Sequence, residues 1–111
     1  MTKQPLPPSR NAAAVVTGAG SGIGRSFAYE LARRGGVVIC SDINEARAEQ
    51  VAASIQALGS KAIPHRCDVG DAEEMAALSD EAEKLLGRPV TLVINNAGVG
   101  LGGPIGEVSL E

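Results

Sequence analysis

Between Thr17 and Gly24 the sequence reads Thr-Gly-Ala-Gly-Ser-Gly-Ile-Gly, four glycines in eight residues. Glycines at this density let a chain turn sharply and bring backbone N–H groups against a ligand without intervening Cβ atoms. They also let a following helix start close to the strand before it. The first turn of that helix offers unpaired N–H groups and about half a unit of positive charge, so a pyrophosphate is held without Lys or Arg. Spacing separates the kinds of phosphate loop. A triphosphate-hydrolysing loop needs Gly-Lys-Ser/Thr five residues after its first Gly, and the residues at that distance from Gly18 and Gly20 are Ile23 and Arg25. The pattern G-x-G-x-x-G fails too, because Ile23 follows Gly18 and Gly20 where the last glycine belongs. What fits is T-G-x-x-x-G-x-G, from Thr17 through Gly18 and Gly22 to Gly24.

Asp42 closes the apolar run Val37-Val38-Ile39-Cys40-Ser41, 18 residues after Gly24. That is near the spacing of an acid that accepts hydrogen bonds from an adenosine ribose. Its charge would repel a 2′-phosphate, and the next residues, Ile43, Asn44 and Glu45, bring no cation, so NAD is expected over NADP. Capping the next helix is the other reading of Asp42, and Asn44 could fill that role instead. Asp68-Val69 ends the third run and would meet an adenine, Asp68 through the exocyclic amine and Val69 as an apolar wall. An Asx-turn is the competing role for Asp68. His65, the only His, stands between Pro64 and Arg66 with no nearby carboxylate and reads as a solvent-facing strand residue. Cys40 and Cys67, 27 residues apart and outside any C-x-x-C pattern, read as reduced core residues, with a disulfide or metal role as the alternative.

These residues need a scaffold, and the hydrophobic pattern supplies one. Apolar runs at residues 12–17, 37–42, 62–68 and 91–95 alternate with three amphipathic segments. The spacing suits crossover helices between parallel strands, so the expected fold class is α/β, a Rossmann-like doubly wound sheet of order 3-2-1-4. Pro64 lacks a strand N–H and places the third strand at an edge, as that order does. The apolar faces are expected on Ile23, Phe27 and Leu31; on Val51, Ile55 and Leu58; and on Met75, Leu78, Ala82 and Leu85. Asp71 with Glu74 resembles a capping box, and Gly35, Gly59 and Gly87 each follow a helix where a residue at positive φ is needed. Acidic residues from Glu73 to Glu83 read as the solvated face of the third helix.

Composition narrows the partners. The 111 residues hold one Phe, one Tyr and no Trp, and carry a net charge of −3, so nothing resembles a base-stacking platform or a basic patch for nucleic acid. No apolar stretch is long enough for a membrane span, and the Pro-rich opening is unlike a signal peptide. A soluble, cytoplasmic chain is expected, with residues 1–11 as a flexible tail and one domain from residue 12 onward.

The fourth run leads straight into Asn95-Asn96-Ala97-Gly98. With Thr17-Gly18-x-x-x-Gly22-x-Gly24, the acid at Asp42 and Asp68-Val69, this resembles the cofactor half of the short-chain dehydrogenase/reductase family, over residues 12 to about 100. The resemblance implies that Gly18, Ser21, Gly22, Ile23 and Gly24 line the pyrophosphate and ribose. It further implies that Asp42 takes the ribose hydroxyls, that Asp68 and Val69 flank adenine, and that Asn95, Ala97 and Gly98 lie along the cofactor. The implied activity is NAD-dependent interconversion of a small-molecule alcohol and carbonyl by an enzyme that commonly forms homo-oligomers. The family's Tyr-x-x-x-Lys relay and active-site Ser have no match here. The only Tyr, Tyr29, is followed four positions on by Arg33 and lies beside the glycine loop, so the chain reads as a Rossmann half-domain without catalytic residues of its own. Two other readings stand beside this one. A noncatalytic NAD-binding regulatory module would use the same loop. An S-adenosylmethionine-dependent methyltransferase would carry an acid where Val16 stands.

Overall fold

The computed structural model describes residues 9–96. Seven elements alternate along them: β1 (Ala13–Thr17), α1 (Gly22–Arg33), β2 (Val37–Asp42), α2 (Glu45–Ala57), β3 (Lys61–Arg66), α3 (Ala72–Leu86) and β4 (Leu92–Asn95). The sheet runs β3-β2-β1-β4 with every neighbouring pair parallel, which is the order the sequence predicts. A parallel sheet must be covered on both faces, and the alternation of side chains along each strand divides the core in two. Ala14, Val16, Val38, Cys40 and Ala62 pack under α1 and α2, while Ala13, Val15 and Ile39 pack under α3 with Leu78 and Ala82. Pro64 pairs with Cys40 from the β3 edge, where its missing N–H interrupts no second ladder.

β3 stops at Arg66, two residues short of the expected run. The Cys67 N–H still donates to the Asp42 carbonyl at 3.1 Å, and the chain then leaves the sheet, so Asp68 lies in a turn.

The helix faces follow expectation at Phe27, Leu31, Val51, Ile55, Met75, Leu78, Ala82 and Leu85, which are buried or packed against the core, and depart from it at two positions. On α1 the buried residues are Gly24, Ala28, Leu31 and Ala32, while Ile23 is 64% exposed, and at the end of α2 Leu58 is 73% exposed. The cause is the smallness of the contact residues. Gly24 and Ala28 let α1 settle close to β1, and a face carried by Gly and Ala gives little hydrophobic signal, so Ile23 stands out in the sequence although Gly24 beside it makes the contact.

The helix ends follow local chemistry. Asn44 caps α2 by accepting from the Arg47 N–H, and Asp71 caps α3 by accepting from the Glu73 and Glu74 N–H groups. The reciprocal arm of the expected capping box reaches further back, since Glu74 Oε1 accepts from the Asp68 N–H at 2.9 Å and pairs with Arg66 at 2.7 Å. Gly35, Gly59 and Gly87 all take positive φ, as their positions demand. Residues 9–11 are tied to the domain: Arg34 donates to the Ser9 hydroxyl, the Asn11 N–H donates to the Arg34 carbonyl, and Arg88 donates to the Asn11 carbonyl.

Candidate functional site

The glycine loop leaves the C-terminal end of β1, the most deeply buried strand, and its conformation rests on specific contacts. Gly18 and Gly22 take φ of 64° and 57°, the left-handed region that glycine enters freely. Gly24 is required for another reason. A Cβ there would lie 2.2 Å from the Gly18 carbonyl oxygen and 2.7 Å from Asn96 Nδ2, so the start of α1 is packed directly on the turn that precedes it. The Ala19 N–H donates to the Ser41 carbonyl at 2.9 Å, which joins the loop to the end of β2.

α1 begins unlike the other two helices. Its N-cap, Ser21, is extended and makes no side-chain cap bond, and no acid stands in its first turn, whereas Asn44 and Asp71 cap α2 and α3. The leading N–H groups and the positive end of the helix dipole therefore meet no carboxylate or amide oxygen of their own helix. Beside them Gly22 has no heavy atom within 4 Å of where a Cβ would be, so the backbone is open to close approach.

Asp42 stands at the lip of this loop. Its Oδ2 accepts from the Gly20 N–H at 2.9 Å and its Oδ1 from the Asn44 N–H at 2.9 Å. Because the Asn44 side chain supplies the cap of α2, the carboxylate of Asp42 is left to bridge the loop at Gly20 and the backbone at Asn44. Asp68 makes the Asx-turn contact, its Oδ1 accepting from the Gly70 N–H at 2.8 Å, and Val69 beside it is half-buried. At the end of β4, Asn95 Oδ1 accepts from the Thr17 hydroxyl at 3.0 Å, and Asn96 Nδ2 donates to the Gly18 carbonyl at 3.4 Å. The fold thus gathers Gly18, Ser21, Gly22, Ile23, Gly24, Asp42 and Asn95 at the C-terminal ends of β1, β2 and β4, where doubly wound folds bind their ligands. Asp68 and Val69 follow the end of β3 on the same side, and Ala97 and Gly98 lie outside the described residues.

Three contributors escaped the sequence reading. Gly20 supplies the N–H that holds Asp42; Asn96, not Asn95, braces the glycine turn; and Arg47 stands over Gly20 from the first turn of α2. Asn96 was legible as half of an Asn-Asn pair, but which Asn faces the loop depends on strand pleat. Arg47 is brought in by the helix turn after Asn44, beyond the stretch that directly follows the strand.

His65 differs from the solvent-facing residue expected. It is half-buried, and its Nδ1 is buried without a hydrogen-bond partner among the described residues. Both cysteines are free and buried; burial pushes the Cys40 thiol up to about 12, and burial followed by the Glu74 and Asp68 carboxylates raises Cys67. Tyr29 packs against the core under α1 with Arg25 over its ring at 5.5 Å. A hydrogen bond with Ser54, then one with Arg25, lowers its phenol below the ordinary value.

The model of the short-chain dehydrogenase family matches residues 12–111. The chain belongs to the short-chain dehydrogenase family. Among curated relatives, the 7alpha-hydroxysteroid dehydrogenase of Escherichia coli strain K12 is 45% identical over 87 residues, which is 78% of this chain and 34% of that protein. The cyclohexanol dehydrogenase of an Acinetobacter species, strain SE19, is 41% identical over 99 residues, 89% of this chain and 37% of that one. A solved structure of 7α-hydroxysteroid dehydrogenase complexed with NADH and 7-oxo glycochenodeoxycholic acid superposes with a TM-score of 0.77 at 42% identity. That match covers 87% of this chain and 38% of that one. This short-chain dehydrogenase sequence therefore spans about a third of the length of the curated relatives it matches. Its fold is the dinucleotide-binding fold of an oxidoreductase family. Among the described residues, no helix is long and apolar enough to cross a membrane.

Proposed function

We propose that this chain is the cofactor-binding part of a short-chain dehydrogenase that interconverts a small-molecule alcohol and carbonyl, and that it prefers NAD to NADP. The observation that carries the reading is Asp42, whose carboxylate is fixed at the lip of an uncapped, glycine-lined helix start by the Gly20 and Asn44 N–H groups. The cradle suits a dinucleotide on this chain's own geometry. The open backbone at Gly22 and the first turn of α1 are shaped for a pyrophosphate, with Gly18, Ser21, Ile23 and Gly24 around it. The ribose hydroxyls would donate to Asp42, an acid whose charge disfavours a phosphate in the same place. Adenine would lie between Asp68 and Val69, and Asn95, Ala97 and Gly98 would continue along the cofactor. The bound nicotinamide would supply the hydride chemistry, while this chain orients it and excludes water from the phosphate loop. The part proposed for the described residues is cofactor binding, not proton transfer to or from substrate.

Calorimetric titration of the complete protein with NADH and with S-adenosylmethionine tests the assignment. Heat is expected with NADH alone. Asp42→Ala should weaken NADH binding by about 2 kcal/mol, the size of a charge-assisted hydrogen bond. Absence of binding by NADH, or an unchanged affinity in Asp42→Ala, contradicts the reading.

A further inference from the structure

An open groove of about 810 Å³ runs between α1 and α2, within the range of about 300–1,000 Å³ that small-molecule sites occupy. It touches the cofactor cradle at Gly22 and follows α1 away from it as far as Ala32, a rise of about 15 Å along the helix. Its two ends differ in chemistry. Arg25 and Ser26 stand exposed at the first, while Ala32 and Ile55 are buried at the base of the second and Leu58 beside them is exposed. Of the charged lining, Glu30 is held by Arg33 at 2.6 Å, whereas Arg25 pairs with no carboxylate among the described residues. Two arginines against one glutamate leave the lining one positive charge in excess, in a chain whose net charge is −3. Arg25 is also held in place. Its guanidinium lies over the Tyr29 ring, 5.5 Å from the centroid, and that ring packs against the core. A cation fixed in this way loses little freedom when an anion arrives.

We propose that the groove between α1 and α2 is a binding site for an amphipathic carboxylate, an alkyl-chain acid whose head meets Arg25 and whose chain lies over Ile55 and Leu58. The inference does not depend on which cofactor the glycine loop takes. Charge selects the sign of the ligand, since the excess cation attracts an anion and a guanidinium receives a carboxylate through two parallel N–H bonds. The apolar end selects its body. A purely polar anion would leave Leu58 in water, whereas an alkyl chain reaching along α1 covers it and removes its own surface from water as well. The Glu30–Arg33 pair flanks the chain without leaving an unmatched carboxylate to repel the head.

The test is calorimetric titration of the complete protein with decanoate, decanol and decylammonium, three probes of equal chain length kept below micelle-forming concentrations. Decanoate should bind at least about tenfold more tightly than either of the others, the factor that about 1.4 kcal/mol produces. Arg25→Gln should weaken decanoate by about tenfold and remove the salt dependence of its affinity, while Arg25→Lys keeps most of both. Leu58→Gln should weaken decanoate and decanol alike. Both side chains are exposed, so urea midpoints of the variants should stay at the wild-type value. Amide exchange with decanoate bound should slow at residues 25–33 and 54–60. The proposal is overturned if decanoate gives no heat, if decylammonium binds as tightly, or if Arg25→Gln or Leu58→Gln leaves the decanoate affinity unchanged. A dimer that Leu58→Gln dissociates in sedimentation would put a second copy of the chain in the groove and overturn it too.

Discussion

At the scale of single residues, the two kinds of glycine in the loop make different demands and should respond differently to the same change. Gly24→Ala forces a Cβ against the Gly18 carbonyl oxygen, a backbone atom that moves only if the turn moves. A cost of about 3 kcal/mol is expected, the upper part of the overpacking range, together with loss of NADH affinity. Gly22→Ala meets open space and suffers only the left-handed φ of 57°, which costs about 1 kcal/mol. Urea unfolding of the two variants should place Gly24→Ala below Gly22→Ala; the reverse order would show that the loop does not rest on that close approach. Cys40 makes a separate prediction. Burial holds its thiol up to about 12 from an ordinary value of 9.0, so the native state resists its ionisation. Stability should be unaffected by Cys40 below pH 9 and decline as pH rises from there toward 12, because the unfolded chain releases the proton first. Replacing Cys40 by Ala should remove that part of the alkaline decline in urea midpoints; an unchanged profile would assign it elsewhere.

At the scale of elements, capping chemistry was legible because it depends on residues three or four positions apart, as Asp71 with Glu74 and Asn44 with Arg47 show. Asp71→Ala should cost about 1 kcal/mol by urea denaturation, since it frees the Glu73 and Glu74 N–H groups at the start of α3. A change indistinguishable from zero would mean that solvent satisfies those donors equally well. Strand order was legible too, with Pro64 marking the edge and the glycine loop marking the strand beside the switch point. The face of α1 was legible at Phe27 and Leu31 but not at its start, because the contact residues there are Gly24 and Ala28, whose smallness permits close packing and hides them from a hydrophobic pattern. The end of β3 was misplaced for a related reason: Cys67 is apolar and buried, yet only its N–H continues the pairing before Asp68 turns away.

At the scale of the whole molecule, the sheet end that collects the chemistry adjoins exposed apolar surface, because Thr17 and Asn95 border it. An apolar groove of about 290 Å³ runs between α3 and β4, lined by Val15, Met75, Leu78, Ala82, Val90 and Val93. Val93 is 47% exposed on the edge strand of the described sheet. A surface of this kind suits coverage by further structure, in keeping with a chain about a third as long as its curated relatives. A larger concavity, about 810 Å³, begins at Gly22 and runs between α1 and α2 beside Arg25, Tyr29, Ile55 and Leu58. The concavity and the proposed cofactor cradle thus meet at Gly22 and diverge beyond it. The cofactor reading commits to the glycine loop, because there the backbone donors, the uncapped helix start and Asp42 meet. Amide hydrogen exchange of the complete protein with and without saturating NADH separates the two locations. The account predicts slowed exchange at residues 18–25 and 41–44, with residues 54–60 unchanged; protection confined to residues 54–60, or no protection at the loop, would contradict it.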